Sequence, residues 1–194
     1  DELRSPYGIT FYKQEEGLYK VLVTDSYEYN NPREDRILTW DFTIDNESFN
    51  VSSASVLGNP TLYQVESIYA DQHYQTVLVA EEMKEHHKVM ALDLMTGEVK
   101  KEDLGNFNRG NDPEGIALVI NKDNNGYWIC TEQSKTDNRF HLYDRKTLEY
   151  MNTMYLDNVS YTDGIATAYM HGKWFLYAVD NDARVVAFEL PEIN

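Results

Sequence analysis

One cysteine, Cys130, in a chain of 194 residues excludes an internal disulfide and with it a small disulfide-stapled scaffold. It sits in the apolar run Tyr-Trp-Ile-Cys, where a small buried hydrophobe is expected rather than a reactive thiol. Basic residues are scarce: 17 stand against 33 acids, the net charge is −16, and no basic block occurs. That balance argues against nucleic acid as a partner. Long apolar runs are missing too. The longest are of the size of Gly-Ile-Ala-Leu-Val-Ile, far too short to span a bilayer, and the mean hydropathy is −0.59. The opening residues Asp1–Gly8 hold no apolar leader core, so the chain is expected to be cytoplasmic or to have had a leader removed.

Apolar residues nevertheless make up 42% of the chain, enough for one globular domain over residues 1–194 with a substantial core. Its order is repetitive. Alignment on Gly8, Ser67, Gly115 and Gly164 gives copies spaced by 59, 48 and 49 residues. Each copy reads as a short strand (GITFY, SIYA, GIALVI, GIATAY), a turn, and a second apolar strand (YKVLVT, TVLVA, YWICT, WFLYAV). The Asn125-Gly126 pair is a two-residue hairpin signal. The second strands end in polar, mostly acidic residues: Asp25, Glu81-Glu82, Glu132-Gln133 and Asp180-Asn181. A third strand ends in an apolar–acid pair: Trp40-Asp41, Leu92-Asp93, Tyr143-Asp144, Phe188-Glu189. These pairs are read as packing plus a solvated edge. A weaker fourth strand follows in three copies, and the fourth copy stops before one.

Four short antiparallel strands every 48 residues or so predict an all-β chain of four-stranded β-propeller blades, starting near residues 7, 66, 114 and 163. The stretch EEMKEHH is rich in helix formers, but the repeat register makes it a loop. Only six residues precede the first copy, Pro6 among them, poor material for a closing strand. An open edge is therefore expected, with missing blades or self-association to cover it.

In a propeller the first strand of each blade lines the channel, so equivalent positions converge. Glu66, Glu114 and Asp163 are such positions; Asp112 alternates onto the same side as Glu114, and Glu82 and Gln133 approach the same rim. Crowded carboxylates either raise their pKa values or bind cations. Hard oxygen donors without Cys or His at the repeat positions select Ca²⁺. The bland alternative is that Asp-Gly and Glu-Gly are copied turns or bulges. The pair His86-His87 is a weak transition-metal candidate in a predicted loop. Sequons occur at Asn46, Asn50 and Asn158, as chance alone would supply.

The stretches VESIYADQHYQTVLVAEE, NDPEGIAL followed by NNGYWICTEQS and FHLYDR, and DNVSYTDGIA resemble the β-propeller phytases, the calcium-dependent 3-phytase family, and PYGITFY and RILTWDF match its preceding blade. The gaps of 16 residues from Glu66 to Glu82 and 19 from Glu114 to Gln133 agree with that family, as does an acid, Asp157, six residues before Asp163. The resemblance implies the last four blades of a six-bladed propeller and a calcium cluster at one end of its channel. It implies Glu66, Glu82, Asp112, Glu114, Gln133, Asp157 and Asp163 as calcium ligands, with Glu66, Asp112, Glu114 and Asp163 at the catalytic centre. It further implies a phosphomonoester hydrolase, secreted or periplasmic, that attacks inositol phosphates with metal-activated water and forms no covalent enzyme intermediate. Departures stand beside it. Ser67 replaces a family glycine, TEQSK replaces a family Ser-Ser-Gln-Gly-Asn, and the Asp-Asp-Pro-Ala stretch and lysine of the N-terminal blades are not found. A non-catalytic calcium-binding or protein-interaction propeller is the second expectation. A gluconolactonase-type lactonase, with mixed Glu and Asn ligands, is the third.

Overall fold

The computed structural model describes residues 3–45, 48–58, 60–108 and 110–191. Sequon residue Asn46 lies outside them. Asn50 is exposed on a strand, and Asn158 is exposed in a loop. All named elements are strands. They are β1 (Pro6–Glu15), β2 (Leu18–Asp25), β3 (Ile37–Asp45), β4 (Ser48–Val51), β5 (Ser55–Val56), β6 (Val65–Asp71), β7 (Thr76–Glu81), β8 (Lys88–Asp93) and β9 (Val99–Lys101). There follow β10 (Asp112–Ile120), β11 (Gly126–Gln133), β12 (Arg139–Asp144), β13 (Tyr150–Met154), β14 (Ile165–Met170), β15 (Lys173–Asp180) and β16 (Arg184–Glu189).

The strands form four antiparallel sheets in simple sequential order: β1-β2-β3-β4 with β5 also on β3, then β6-β7-β8-β9, β10-β11-β12-β13 and β14-β15-β16. These are the four β-propeller blades expected from the repeat. Two compact units carry two blades each, Asp1–Asp103 and Leu104–Asn194. No described strand pairs with the outer side of β16, as the truncated fourth copy predicts. Within the stretch EEMKEHH, Glu81 ends β7 and residues 82–87 form the turn to β8, not a helix.

Alternation builds each blade. In β1, Thr10 and Tyr12 are buried while Ile9 and Phe11 are 69% and 68% exposed, the period-two pattern of a strand covered on one face. The middle strand β7 is buried along its whole length, so both its faces are covered. In the first unit Tyr12, Leu22, Ile37, Leu62, Ile68, Val79 and Met90 form the core between its blades. In the second, Val119, Tyr127, Ile129, Phe140, Leu142, Leu176 and Ala178 do so. Cys130 is buried and free, with its thiol pushed up by burial, as expected of a small core residue.

Three local expectations change. The β10–β11 connection is a five-residue turn, residues 121–125, with Asn124 at φ 63° and Asn121 N donating to Asn125 O at 2.9 Å. Gly126 is already the first residue of β11, so the Asn-Gly pair marks the exit from a longer turn. Two-residue hairpins among the described residues lie elsewhere, at Glu16-Gly17 between β1 and β2 and at His171-Gly172 between β14 and β15, the latter pair both at positive φ. In the first blade β3 runs on to Asp45, which leaves Trp40-Asp41 mid-strand. In the second and third blades the terminal acid is more than a solvated edge. Asp93 Oδ1 accepts from the backbone N–H of Met95 (2.9 Å) and Thr96 (3.0 Å), and Asp144 Oδ1 accepts from Lys146 (3.0 Å) and Thr147 (2.6 Å). Each carboxylate closes the turn to the next strand, as Asx turns do.

Candidate metal centre

The acid–glycine phrase that recurs along the chain is a β-bulge. Pairing of β6 with β7 skips between Val65 and Ile68, that of β10 with β11 between Pro113 and Ile116, and that of β1 with β2 between Pro6 and Ile9. The residues in the skips are Glu66-Ser67, Glu114-Gly115 and Tyr7-Gly8. An extra residue on one strand re-aims its side chain and bends the strand, so the bulges at Glu66 and Glu114 turn those acids out of the ladder, while the first blade's bulge carries Tyr7 in the acid's place. The turn interpretation and the site interpretation of these acids therefore coexist. In the fourth copy Asp163-Gly164 precedes β14, and Val179 N donates to Gly164 O at 3.0 Å.

In the first unit two expected residues come together. Gln64, just before β6, donates from its side-chain amide to Glu66 Oε1 (2.9 Å) and also to Glu82 Oε2. The backbone closes the same ring, with Glu82 N donating to Gln64 O at 2.9 Å. Glu66 is only 5% exposed, and its carbonyl accepts from Thr24 Oγ1 at 2.7 Å.

In the second unit Asp112 opens β10 directly opposite Gln133, the last residue of β11. The Gln133 amide donates to Asp163 Oδ1. Glu114, 3% exposed, follows in the β10 bulge. Gly115 packs so closely on the next blade that an added Cβ would stand 2.9 Å from Asp163 O. Asp157 lies apart from these contacts. It is exposed in the loop after β13 and lines an open polar cleft with Lys135, Asp137, Asn138, Ser160 and Asp180.

Neighbouring acids do a different job, which the repeat alignment alone did not reveal. The last acid of each second strand is buried and accepts a backbone N–H from the segment that enters its own blade. Asp25 takes Ser5 N (2.8 Å), Glu81 takes Tyr63 N (2.7 Å), Glu132 takes Asn108 N (3.1 Å) and Asp180 takes Ser160 N (3.0 Å). A base stands across the ladder. Lys88 lies 3.5 Å from Glu81, Arg139 lies 3.8 Å from Glu132 and Arg184 lies 2.8 Å from Asp180. In the first blade Arg36 donates Nη1 to Asp25 O at 2.9 Å. The recurring base at the start of the third strand was the available sequence signal.

Environment then separates these equivalent acids. Burial raises the pKa of Glu81 despite Tyr63 N–H and Lys88. Burial also pushes Glu132 upward, but hydrogen bonds from His141 and Asn111 and from Asn108 N–H outweigh it and hold the carboxyl at about 2. His141 Nε2 stands 2.8 Å from Glu132 Oε2, and its Nδ1 stands 2.8 Å from Thr153 Oγ1. A carboxylate only accepts, so Nε2 carries a proton. His86, of the His86-His87 pair, stacks on Tyr63 at 4.2 Å.

The donor chemistry fits a hard cation within each unit: carboxylates and amides of Glu66, Glu82 and Gln64 in one, of Glu114, Asp112, Gln133 and Asp163 in the other. An amide N–H held between carboxylates is itself the mark of a spot that favours positive charge.

Several solved structures share the fold. A protein of a nidogen/laminin complex matches with TM-score 0.61 at 12% identity, over 94% of this chain and 64% of that one. A thermostable family-43 glycoside hydrolase matches with TM-score 0.60 at 12% identity, over 91% and 63%. An exo-β-1,3-galactanase from Phanerochaete chrysosporium matches with TM-score 0.63 at 10% identity, over 96% and 47%. At such identities the likeness is one of fold. The chain spans between 47% and 64% of the length of these structures. No curated protein matches it in sequence. The phytase family profile, however, matches residues 4–173, three blades and the first strand of the fourth, a span that includes Glu66, Glu82, Asp112, Glu114, Gln133, Asp157 and Asp163, and the chain belongs to the phytase family.

Proposed function

We propose that this chain is a phytase-like, calcium-dependent phosphomonoester hydrolase whose substrates are inositol phosphates, acting outside the cytoplasm. The observation that carries this is the pairing of buried Glu66 with Glu82 across one amide, in a chain of the phytase family. The proposed calcium ligands are Glu66 and Glu82 in the first unit, and Asp112, Glu114, Gln133, Asp157 and Asp163 in the second. With 33 acids against 17 bases, an anionic substrate would be repelled unless cations reversed the local field. When bound, calcium supplies that positive charge and increases the acidity of an attacking water. The bulges at Glu66 and Glu114 turn the carboxylates out of the ladder, the Gln64 amide donates to Glu66 and Glu82, and the Gln133 amide donates to Asp163. The exposed β1 face bearing Ile9 and Phe11, and the outer side of β16, are in this proposal surfaces that further blades cover.

Phosphate release from inositol hexakisphosphate, with and without calcium, tests the proposal beside a thermal melt in the same buffers. Calcium-dependent release is the expected result. A melt raised by calcium with no release would favour the second reading, a calcium-binding module, for which Ser67 and the TEQSK departure are the specific support. No effect of calcium on either measurement would remove both.

A further inference from the structure

We propose that Gln64 is a switchable positioning residue of the first unit's cation site, an inference that rests on the calcium proposal above. Without a cation, its amide N–H₂ spends both hydrogens on Glu66 Oε1 and Glu82 Oε2 and so stands in for positive charge between two carboxylates. With a cation, the same side chain turns over and offers its carbonyl oxygen. A glutamine suits this because one rotation exchanges a donor for an acceptor at nearly the same place. Its backbone anchors it in either state, since Glu82 N donates to Gln64 O at 2.9 Å and Val65, 0% exposed, follows directly.

The switch has a consequence for the empty protein. The shared donor holds the Glu66 and Glu82 carboxylates side by side, so the site is already shaped for a cation. Gln64 thus raises affinity twice, by preorganising Glu66 and Glu82 and by adding an oxygen.

The test is calcium titration by calorimetry on wild type, Gln64→Leu and Gln64→Glu. The leucine variant keeps the volume but neither donates nor accepts; its affinity is expected to fall at least about 10-fold, the usual cost of losing a group that orients a metal ligand. The glutamate variant adds an oxygen donor and a third negative charge. It is expected to bind calcium at least as tightly as wild type at pH 8, with a steeper loss of affinity on acidification and a lower melting temperature in chelator. In ¹⁵N-labelled wild type the Gln64 side-chain amide signals are expected to shift and to exchange faster with water when calcium is added. Should the leucine variant fail to fold, the glutamate variant and the amide signals carry the test. Unchanged affinity in the leucine variant, or amide signals that calcium leaves still, would overturn the role of Gln64 and leave the calcium proposal standing. Absence of binding to wild type itself would overturn both.

Discussion

Glu132→Ala is expected to lower the stability of the second unit by roughly 3–5 kcal/mol, the cost of breaking a buried charged network by removing one partner. Glu132 is fully buried and accepts from Asn108 N (3.1 Å), Asn108 Nδ2 (2.8 Å), Asn111 Nδ2 (2.6 Å) and His141 Nε2 (2.8 Å). Alanine would leave those four donors facing a void, and each buried donor without a partner costs its own desolvation. Urea midpoints measure the loss. A loss below about 1 kcal/mol would mean that water fills the gap and that the network is not what closes this blade.

The same residue sets a pH dependence. Its folded pKa, about 2, lies below the ordinary 4.5, so the folded state favours the ionised form. That contribution is complete above about pH 4.5 and is lost as pH falls from there toward about 2, a change on the order of 3 kcal/mol. Glu132→Gln cannot titrate. Its stability is therefore expected to fall less than that of wild type between pH 5 and pH 2.5, although it starts lower. Parallel curves for the two proteins would show that other carboxylates govern the acid limb.

Gly115→Ala and Gly8→Ala are expected to be the second large effect, with Gly164→Ala as their control. None of the three glycines has positive φ, so backbone freedom is not their reason for being glycine. Close approach is. A Cβ on Gly8 would stand 2.3 Å from Glu66 O, and one on Gly115 would stand 2.8 Å from Ile165 N and 2.9 Å from Asp163 O. Those neighbours are backbone atoms that carry proposed ligands, so relief must push the acids out of place. A cost of about 1–3 kcal/mol per variant is expected, typical of overpacking, together with weakened calcium binding. On Gly164 the nearest atom would be Val179 Cγ2 at 3.5 Å, ordinary contact, and alanine there is expected to change stability by less than about 0.5 kcal/mol. Equal costs at all three positions would mean that propensity, and not the approach of neighbouring blades, selects glycine here.

That contrast shows where sequence reasoning stops. The repeat aligned Gly8, Gly115 and Gly164 as one position, and in the fold they differ, because Gly8 and Gly115 meet the backbone of the next blade whereas the nearest atom to Gly164 is a side chain of its own blade. Glu81 and Glu132 show the same limit. Each is the last acid of a second strand and each accepts an N–H from the segment entering its blade, yet their pKa values move in opposite directions. Only Glu132 gains a histidine and two asparagines, brought in from other strands and loops. Gln64 carries no signal in the sequence, since an amide before a strand gains meaning only where the acid from the far end of the hairpin meets it.

The strand order, the blade count, the loop at EEMKEHH, the three-stranded last sheet and the acids at Glu66 and Glu114 were legible in the chain alone. Alternation and turn residues are local, and a repeat prints them four times over. Tertiary structure decided which acids are latches and which are turned out of the ladder, which glycines are obligatory, and which amide joins Glu66 to Glu82. Those outcomes depend on atoms from segments far apart in sequence meeting within a few ångströms, and on the loss of water around them, neither of which a local pattern records.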